Sequence, residues 1–557
     1  MSTLAAARAW LAQDPDPVTR DELSSLIDAA ENGDAAASAD LDDRFATRLA
    51  FGTAGLRGRL GAGSNRMNRV LVSQAAAGFA GYLAEKAASG ETPTVVIGYD
   101  GRRNSDVFAR DSAELFAGAG LRAVLLPRML PTPVLAFAVR HLGAAAGVMV
   151  TASHNPPDDN GYKVYLGGAD EGAQIVSPAD AEIAAHIQRI ADSGDIGALP
   201  RSDAYEVADE SLIDAYIAAT ATVAPAPAGA AGMPWVYTAM HGVGYETLAR
   251  ILEVAGYPLP TVVDAQIEPD GRFPTVAFPN PEEPGAMDLA YEAARASGAE
   301  FILANDPDAD RLAVAIPDAS ADGGWRRLTG NEVGLLLGWR AARTAAAKHP
   351  GASLACSLVS SPGLAAVAEA HGLDFHATLT GFKWISRAPG LVFGFEEALG
   401  YLVNPETVRD KDGVSAAVAM LGMIAAAREE GRTVTDLLTQ FQDEFGCFAS
   451  GQVSIRVDDV SIIGRIMAAL RAAPPTAFGD VAVDRIDDLL TGVDGLPPGD
   501  VLRLWLVDGS RVIVRPSGTE PKLKAYLDVR GDSASDADAR LAALEAATRT
   551  LIDTARA

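Results

Sequence analysis

Along much of the chain, short apolar runs alternate with stretches of helical periodicity. PTVVIGYD (93–100) is an apolar run that ends in a polar loop, and SDVFARDSAELFAGAG (105–120) repeats its apolar residues at helical spacing. LRAVLLP (121–127) predicts a second strand, TPVLAFAVRHLG (132–143) a second helix and AAAGVMV (144–150) a third strand. Strands alternating with helices imply βαβ units around a mainly parallel sheet. APAPAGAAGMP (224–234) reads as a linker, and a second alternating block follows. Its predicted strands are WVYTAM, PTVVDA and FILAND, and its helices are the stretch after Gly244 and AMDLAYEAARASG. A third block has a long helix at LTGNEVGLLLGWRAARTAAA, a strand at ASLACSLVS and a helix at DGVSAAVAMLGMIAAAREEG.

The C-terminal part changes character. GQVSIRV, VLRLWLVDG, RVIVRPS and KLKAYLDV read as strands with few helices between them, and 534–556 as a last amphipathic helix. The expected organisation is a helical lead-in (1–45), three α/β domains (46–205, 206–322 and 323–447) and an α+β domain (448–557). A length of 557 residues suits that number of cores.

Composition narrows the function. Lys plus Arg total 46 against 73 Asp plus Glu, for a net charge of −27. Such acidity disfavours nucleic acid and anionic membranes as partners, yet a local basic cluster can still hold a small anion. The two cysteines are far apart and unpaired in pattern, which fits a reducing compartment. The first residues reach acidic, Pro-rich sequence too early for a signal peptide. No apolar run approaches the ~20 residues of a membrane span. A soluble cytoplasmic protein is expected. Arg is the default base, so each lysine is worth placing.

Four segments carry chemistry. In VMVTASHNPPDDNGYKVY (148–165) a strand runs into Thr151, Ser153 and His154. Ser153 is the candidate nucleophile, His154 could orient it, and Lys163 on the next extended segment could supply charge or a proton. A plain Ser/Asn turn is the bland alternative. In FILANDPDADRLAV (301–314), Asp306, Asp308 and Asp310 alternate in a loop between two apolar strands. Period-two spacing puts them on one side, where they would repel unless a cation sat among them, and hard oxygen ligands favour Mg²⁺, Mn²⁺ or Ca²⁺. An EF-hand is excluded, since Arg311 and Pro317 occupy its Gly and Glu positions. Arg311 suits a phosphate oxygen, whereas the bland reading is a solvated acidic turn.

GFEEALGYLVNPETVRDKDG (394–413) sets Glu396 and Glu397 after a glycine turn, as acceptors for sugar hydroxyls, and Lys411 between two aspartates at the start of a helix. An acidic helix cap with a solvated lysine fits Lys411 as well. RVIVRPSGTEPKLKAY (511–526) brings Arg515, Ser517, Gly518 and Thr519 into a tight loop after a strand, with Lys522 behind it. That donor set matches a phosphate dianion, and a hairpin turn is the alternative. TLTGFKWI (378–385) places Gly381 and Lys383 at either a substrate contact or a helix start. FGTAGLRGRLGAG (51–63) does not read as a dinucleotide loop, and there is no P-loop or HExxH pattern.

Together, and in this chain order, these segments resemble the α-D-phosphohexomutase superfamily. TASHNP is similar to its phosphoserine loop, DPDADR to its metal loop, GFEEALG to its sugar loop, RPSGTEPK to its phosphate loop, and FGTAGLRG to a further family segment. TLTGFKWI and GFEEALGY look most like the branch that holds bacterial phosphoglucomutases and phosphomannomutases with eukaryotic phosphopentomutase. The resemblance implies four domains around a central cleft, with phosphate transfer between sugar positions 1 and 6. It implies Mg²⁺, a resting phosphoserine and a hexose 1,6-bisphosphate as intermediate and activator.

Carried onto this sequence, the resemblance makes Ser153 the phosphate carrier and a metal ligand with Asp306, Asp308 and Asp310. Arg57, His154, Lys163 and Lys411 become active-site groups, with Lys163 and Lys411 as proton-transfer candidates. Arg311, Gly381, Lys383, Glu396, Glu397, Arg515, Ser517, Gly518, Thr519 and Lys522 become substrate contacts. Ala398 stands where several relatives carry serine, which leaves glucose, mannose and pentose open. The expected partner is a small phosphosugar, on a monomer or small homo-oligomer. Two rivals stay in view: an aspartyl-phosphate phosphatase using Asp306 and Asp308, and a sugar-phosphate-binding protein without activity.

Overall fold

The computed structural model describes residues 2–345, 350–457, 459, 461–493, 495–517 and 522–556. They form two compact units: 1–327 with 400–429, and 328–399 with 430–557.

The first unit opens with helices Thr3–Gln13, Pro17–Glu31 and Ala35–Phe45. Each starts on a side-chain cap that satisfies an otherwise unpaired backbone N–H: Ser2, Asp16 before Pro17, and Asp34. Trp10, Leu23, Ile27 and Leu41 close a small core on Ala62, Val70 and Ile196. The lead-in is therefore packed on the body that follows it.

The first sheet runs Leu56–Arg59, Asp159–Leu166, Ala146–Val150, Thr94–Tyr99, Arg122–Leu125, Glu206–Val207, with Ala173–Gln174 on Asp159–Leu166. Thr94–Tyr99 pairs in parallel with both neighbours, and Asp159–Leu166 is antiparallel to all three of its own. The sheet is mixed because the turn after Val150 sends the chain straight back along its neighbour. Val95 and Ile97 face a core built with helices Arg69–Lys86, Ser105–Gly118 and Ala179–Ser193. Val96 is fully buried on the opposite face, as strand alternation requires.

The second sheet runs Trp325–Arg327, Ala313–Pro317, Phe301–Ala304, Trp235–Thr238, Thr261–Val262. Phe301–Ala304 and Ala313–Pro317 form the antiparallel pair whose connection carries the three aspartates. The run PTVVDA contributes only Thr261–Val262, because Asp264–Gln266 turns away as a 3-10 helix. The expected linker at 224–234 is packed. Ala224, Ala230 and Met233 are buried, Arg428 donates to the carbonyls of Gly229 and Ala231, and Glu429 accepts from Gly229 N–H. Small residues let this stretch lie against helix Gly413–Glu429: a Cβ on Gly229 would fall 2.1 Å from the Ala425 carbonyl oxygen.

The second unit holds a parallel set, Asp374–Thr378, Ser353–Ser357 and Leu391–Glu396. It also holds an antiparallel sheet in the order Cys447–Arg456, Lys522–Gly531, Arg511–Pro516, Leu502–Leu506, Val481–Asp488, Ala477–Phe478. Helices Ser461–Ala472 and Ala534–Arg556 share one core with this sheet. Helix Ser461–Ala472 goes beyond the strand-rich reading, although Ile463, Ile466, Met467 and Leu470 carry its spacing. Gly394 lies inside strand Leu391–Glu396, so no glycine turn precedes the two glutamates. Gly381, at φ 107°, starts the short helix Phe382–Ile385 that carries Lys383.

Candidate active site

The chain leaves strand Ala146–Val150 and turns at once on Ser153, whose φ is 54°. A non-glycine residue seldom adopts this left-handed conformation without fixing contacts. Here Thr151 Oγ1 accepts from Ser153 N–H at 2.9 Å and donates to Asp100 Oδ2 at 2.6 Å. The turn aims the Ser153 hydroxyl at Asp306, to whose Oδ2 it donates at 2.9 Å. His154 Nδ1 lies 3.1 Å from the same hydroxyl and 3.9 Å from Asp306 Oδ2. Burial, then the charges of Arg311 and Arg57, push the His154 imidazole well below its usual range.

The aspartate loop folds on itself. Asp306 accepts through its backbone carbonyl from Ala309 N–H and through Oδ1 from Arg311 N–H. Asn305 donates to the Arg311 carbonyl, and Tyr237 donates to Asn305 Oδ1. Asp306, Asp308 and Asp310 are all fully buried, with one oxygen from each within 4.8 Å of the others. Lys163 Nζ donates to Asp308 Oδ2 at 2.7 Å and to Asp310 Oδ2 at 2.8 Å. Lys411 Nζ stands 3.4 Å from Asp310 Oδ2, and Arg311 Nε 3.8 Å from Asp310 Oδ1.

These contacts set the charges. Burial alone would lower the Lys163 ammonium, but Asp308 and Asp310 outweigh it and raise it. Burial would raise Asp310, and Lys163, Lys411 and Arg311 instead hold it far below the usual carboxylate range. Asp306 is pushed well up, first by burial and then by its two acidic neighbours. Asp308 Oδ1 and Asp310 Oδ1 are buried with no hydrogen-bond partner among the described residues. Two orphaned oxygens in an all-oxygen cluster beside a serine hydroxyl fit a hard divalent cation such as Mg²⁺.

Arg57, on strand Leu56–Arg59, donates to Asn155 Oδ1 at 3.2 Å. The structure thus brings Arg57, Ser153, His154, Lys163, the three aspartates, Arg311 and Lys411 together within the first unit.

The second unit carries the other predicted residues. Glu397 accepts through Oε2 from Ser357 Oγ at 3.1 Å and from Ser360 Oγ at 2.9 Å, so its carboxylate is anchored within the protein. Glu396 ends its strand. Arg515 stands beside Tyr526, and Ser517 N–H donates to the Lys522 carbonyl at 2.8 Å. Gly518 and Thr519 lie outside the described residues. Arg515 is the cross-strand neighbour of Lys524, and Arg456 of Lys522. Like charges set opposite each other repel, an arrangement that an anion relieves.

Four stretches match the domain families of phosphoglucomutase/phosphomannomutase: α/β/α domain I at 48–193, domain II at 214–320, domain III at 329–445 and the C-terminal domain at 464–546. The chain belongs to the phosphoglucomutase/phosphomannomutase family. It is an isomerase of the mutase type. It is 55% identical to the "Probable phosphomannomutase" of Haemophilus influenzae, covering 87% of this chain and 98% of that one. It is 34% identical to human phosphopentomutase, over 93% and 90% of the two chains. The solved phosphoglucomutase/phosphomannomutase family protein of Burkholderia thailandensis shares its fold, with a TM-score of 0.69 at 22% identity over 92% and 98%.

Several side chains around this candidate site escaped the sequence reading. Thr132 donates to Asp308 Oδ2 at 2.7 Å. Asp410 accepts from Tyr165 OH at 3.0 Å and Gln174 Nε2 at 2.7 Å, and stands 3.6 Å from Lys411 Nζ. Arg102 grips the serine loop from behind. The last two had a readable signal: aspartates flanking a rare lysine, and an arginine in the polar loop after a strand. Thr132 had none. Among the described residues, no helix is long and apolar enough to cross a membrane.

Proposed function

We propose that this mutase interconverts hexose 1-phosphate and hexose 6-phosphate, with glucose, mannose or both as the sugar. The observation behind the reading is the Ser153 hydroxyl at 2.9 Å from Asp306, on the edge of a buried three-carboxylate cluster. Ser153 carries the phosphoryl group in the resting enzyme. Its Ser–O–P bond breaks as a new bond forms from phosphorus to the free hydroxyl of the bound monophosphate, giving a hexose 1,6-bisphosphate. The proton of that hydroxyl leaves to a basic side chain of the site, for which Lys411 is the candidate, while Lys163, held as an ammonium by Asp308 and Asp310, is the candidate for giving a proton back. The bisphosphate then presents its other phosphate, which returns to Ser153 as the proton is given back. The same bisphosphate primes an unphosphorylated enzyme.

Asp306, Asp308 and Asp310 with Ser153 would hold Mg²⁺, which when bound supplies Lewis-acid stabilisation of phosphoryl charge. Arg57 and Arg311 offset further negative charge, as phosphoryl transfer depends on placement and neutralisation. Glu396 is read as the acceptor for sugar hydroxyls, with Gly381 and Lys383 as further contacts. Arg515, Ser517, Gly518, Thr519 and Lys522 are read as the holders of the phosphate that does not react. Glu397, tied to two serines, fits an indirect part better.

A pentose phosphate is the second reading, favoured by the likeness to human phosphopentomutase over 93% of this chain. The 55% identity to the Haemophilus protein favours the hexose. The deciding experiment compares kcat/KM for glucose 1-phosphate, mannose 1-phosphate and ribose 1-phosphate with Mg²⁺, and locates the phosphate on the isolated enzyme. Hexose preference and acid-stable phosphate on Ser153 are expected. An acyl phosphate on Asp306, or no turnover with any of the three sugars, would overturn the reading.

A further inference from the structure

The guanidinium of Arg102 is buried, with the residue only 3% exposed, and it lies directly beneath the serine turn. Its terminal nitrogens carry four N–H groups, and four backbone carbonyls receive them. Nη2 donates to Ser153 O at 2.7 Å and Asn155 O at 2.5 Å. Nη1 donates to Pro156 O at 2.8 Å and Asp159 O at 3.0 Å. Three of these carbonyls belong to the loop that carries Ser153, and the fourth, that of Asp159, opens the strand into which the loop runs. Asp100 stands 3.6 Å from Arg102 Nε, accepts from Arg102 N–H at 3.0 Å, and receives Thr151 Oγ1 on its other oxygen. Asp100 and Arg102 thus hold the turn from its two ends.

The outer face of the guanidinium is closed by Phe273, whose ring centroid lies 4.9 Å from Arg102 Cζ. Phe273 lies in the stretch matched to domain II, and Arg102 in the stretch matched to domain I. Phe273 is itself a left-handed non-glycine residue, at φ 48°. The two backbones touch: a Cβ on Gly271 would fall 2.7 Å from Gly101 O and 2.9 Å from Arg102 Cα. Two strained residues, Ser153 and Phe273, therefore bracket one buried cation. A planar fork with its donors spread at fixed angles can meet four carbonyls at once, whereas an ammonium has three donors at one point.

We propose that Arg102 is a positioning residue for phosphoryl transfer. It holds the strained Ser153 turn so that the hydroxyl meets Asp306, and Phe273 holds Arg102. The proposal rests on the mutase reading for its kinetic consequence but not for its structural one. A nucleophile displaced by about 1 Å costs on the order of a hundredfold in rate. The loss belongs in kcat, because Arg102 bonds to the loop that carries the phosphoryl group.

The test uses the full-length chain with Arg102→Lys and Phe273→Leu. Amide hydrogen exchange over residues 151–160 is read beside kcat and KM. For Arg102→Lys we expect kcat to fall about a hundredfold. KM should stay within about threefold, and loop exchange should rise about tenfold or more above any global change. Phe273→Leu should show the same pattern, smaller, and carries the test if the lysine variant does not fold. Wild-type kcat and loop exchange in a folded variant would overturn the proposal. So would a kcat loss matched by the loss of folded protein with no selective loop exchange. An inactive wild type would refute the mutase reading, and the exchange data would still decide on Arg102.

Discussion

Ser153 and Asp306, separated by 153 positions in the chain, meet through a 2.9 Å hydrogen bond at the edge of a fully buried carboxylate cluster. The contact joins a turn leaving one sheet to a hairpin connection of another. It gives a serine hydroxyl, ordinarily a poor nucleophile, an acidic neighbour and a cluster suited to a divalent cation.

In the proposed mechanism, replacing Ser153 by Ala removes the phosphate carrier and little else. Turnover should fall by roughly three orders of magnitude or more, as for loss of a covalent nucleophile. Circular dichroism and Tm should stay as in the wild type. A variant with normal turnover would take Ser153 out of the mechanism.

The orphaned oxygens of Asp308 and Asp310 predict that Mg²⁺ stabilises the fold as well as supporting activity. At a hundredfold excess over Kd, binding to the folded state alone adds about 2.7 kcal/mol. EDTA should lower Tm and abolish turnover, and added Mg²⁺ should restore both. In Asp310→Asn the Tm should become nearly insensitive to Mg²⁺. Calorimetry of a thoroughly chelated wild type that shows no shift on adding Mg²⁺ would count against the site.

Asp412 caps helix Gly413–Glu429 through the N–H groups of Val414 and Ser415 and accepts from Tyr216 OH. Burial raises its carboxyl from 3.8 to about 6. Below 3.8 both states hold the proton and nothing is lost. As pH rises from 3.8 to about 6 the folded state is increasingly penalised for ionising the group, by roughly 3 kcal/mol at the upper end. Asn keeps an acceptor for the helix N–H groups without the charge. Asp412→Asn should therefore gain stability relative to wild type between pH 4 and pH 6. Urea midpoints that differ by a constant amount across this range would refute the assignment.

Arg515→Ala should chiefly weaken substrate capture. Loss of a charge-assisted contact to phosphate corresponds to about a tenfold rise in KM or more, with a smaller change in kcat. Lys524→Ala, on the neighbouring strand, should move KM in the same direction by less. An unchanged KM for Arg515→Ala would remove the loop from phosphate binding.

What could be read before folding was local. The three alternating aspartates announce a carboxylate cluster, but a turn and not strand alternation gathers them: Ala309, at φ 54°, bonds back through its N–H to the Asp306 carbonyl. The turn at Ser153 follows from small polar residues at a strand end. The caps of the first three helices and the amphipathic helix Ala534–Arg556 are equally local. Packing of 224–234 was not readable, since its composition matches a flexible linker and only the facing helix makes it a snug connection. Glu397 read as a sugar contact because nothing nearby in sequence shows Ser357 and Ser360 on its carboxylate.

Sequence alone determined the chemical parts: a hydroxyl and three carboxylates after predictable strands, a few rare lysines, and an Arg/Ser/Gly/Thr segment suited to phosphate. Tertiary structure decided their pairing. It set Lys163 between Asp308 and Asp310, Lys411 against Asp310, and Arg102 under Ser153. It also set the direction in which each acid shifts, Asp310 downward beside its cations and Asp306 upward with burial. The reason is range. Backbone preferences act over a few residues, whereas these contacts join segments that only the packing of whole sheets and helices brings within hydrogen-bonding distance.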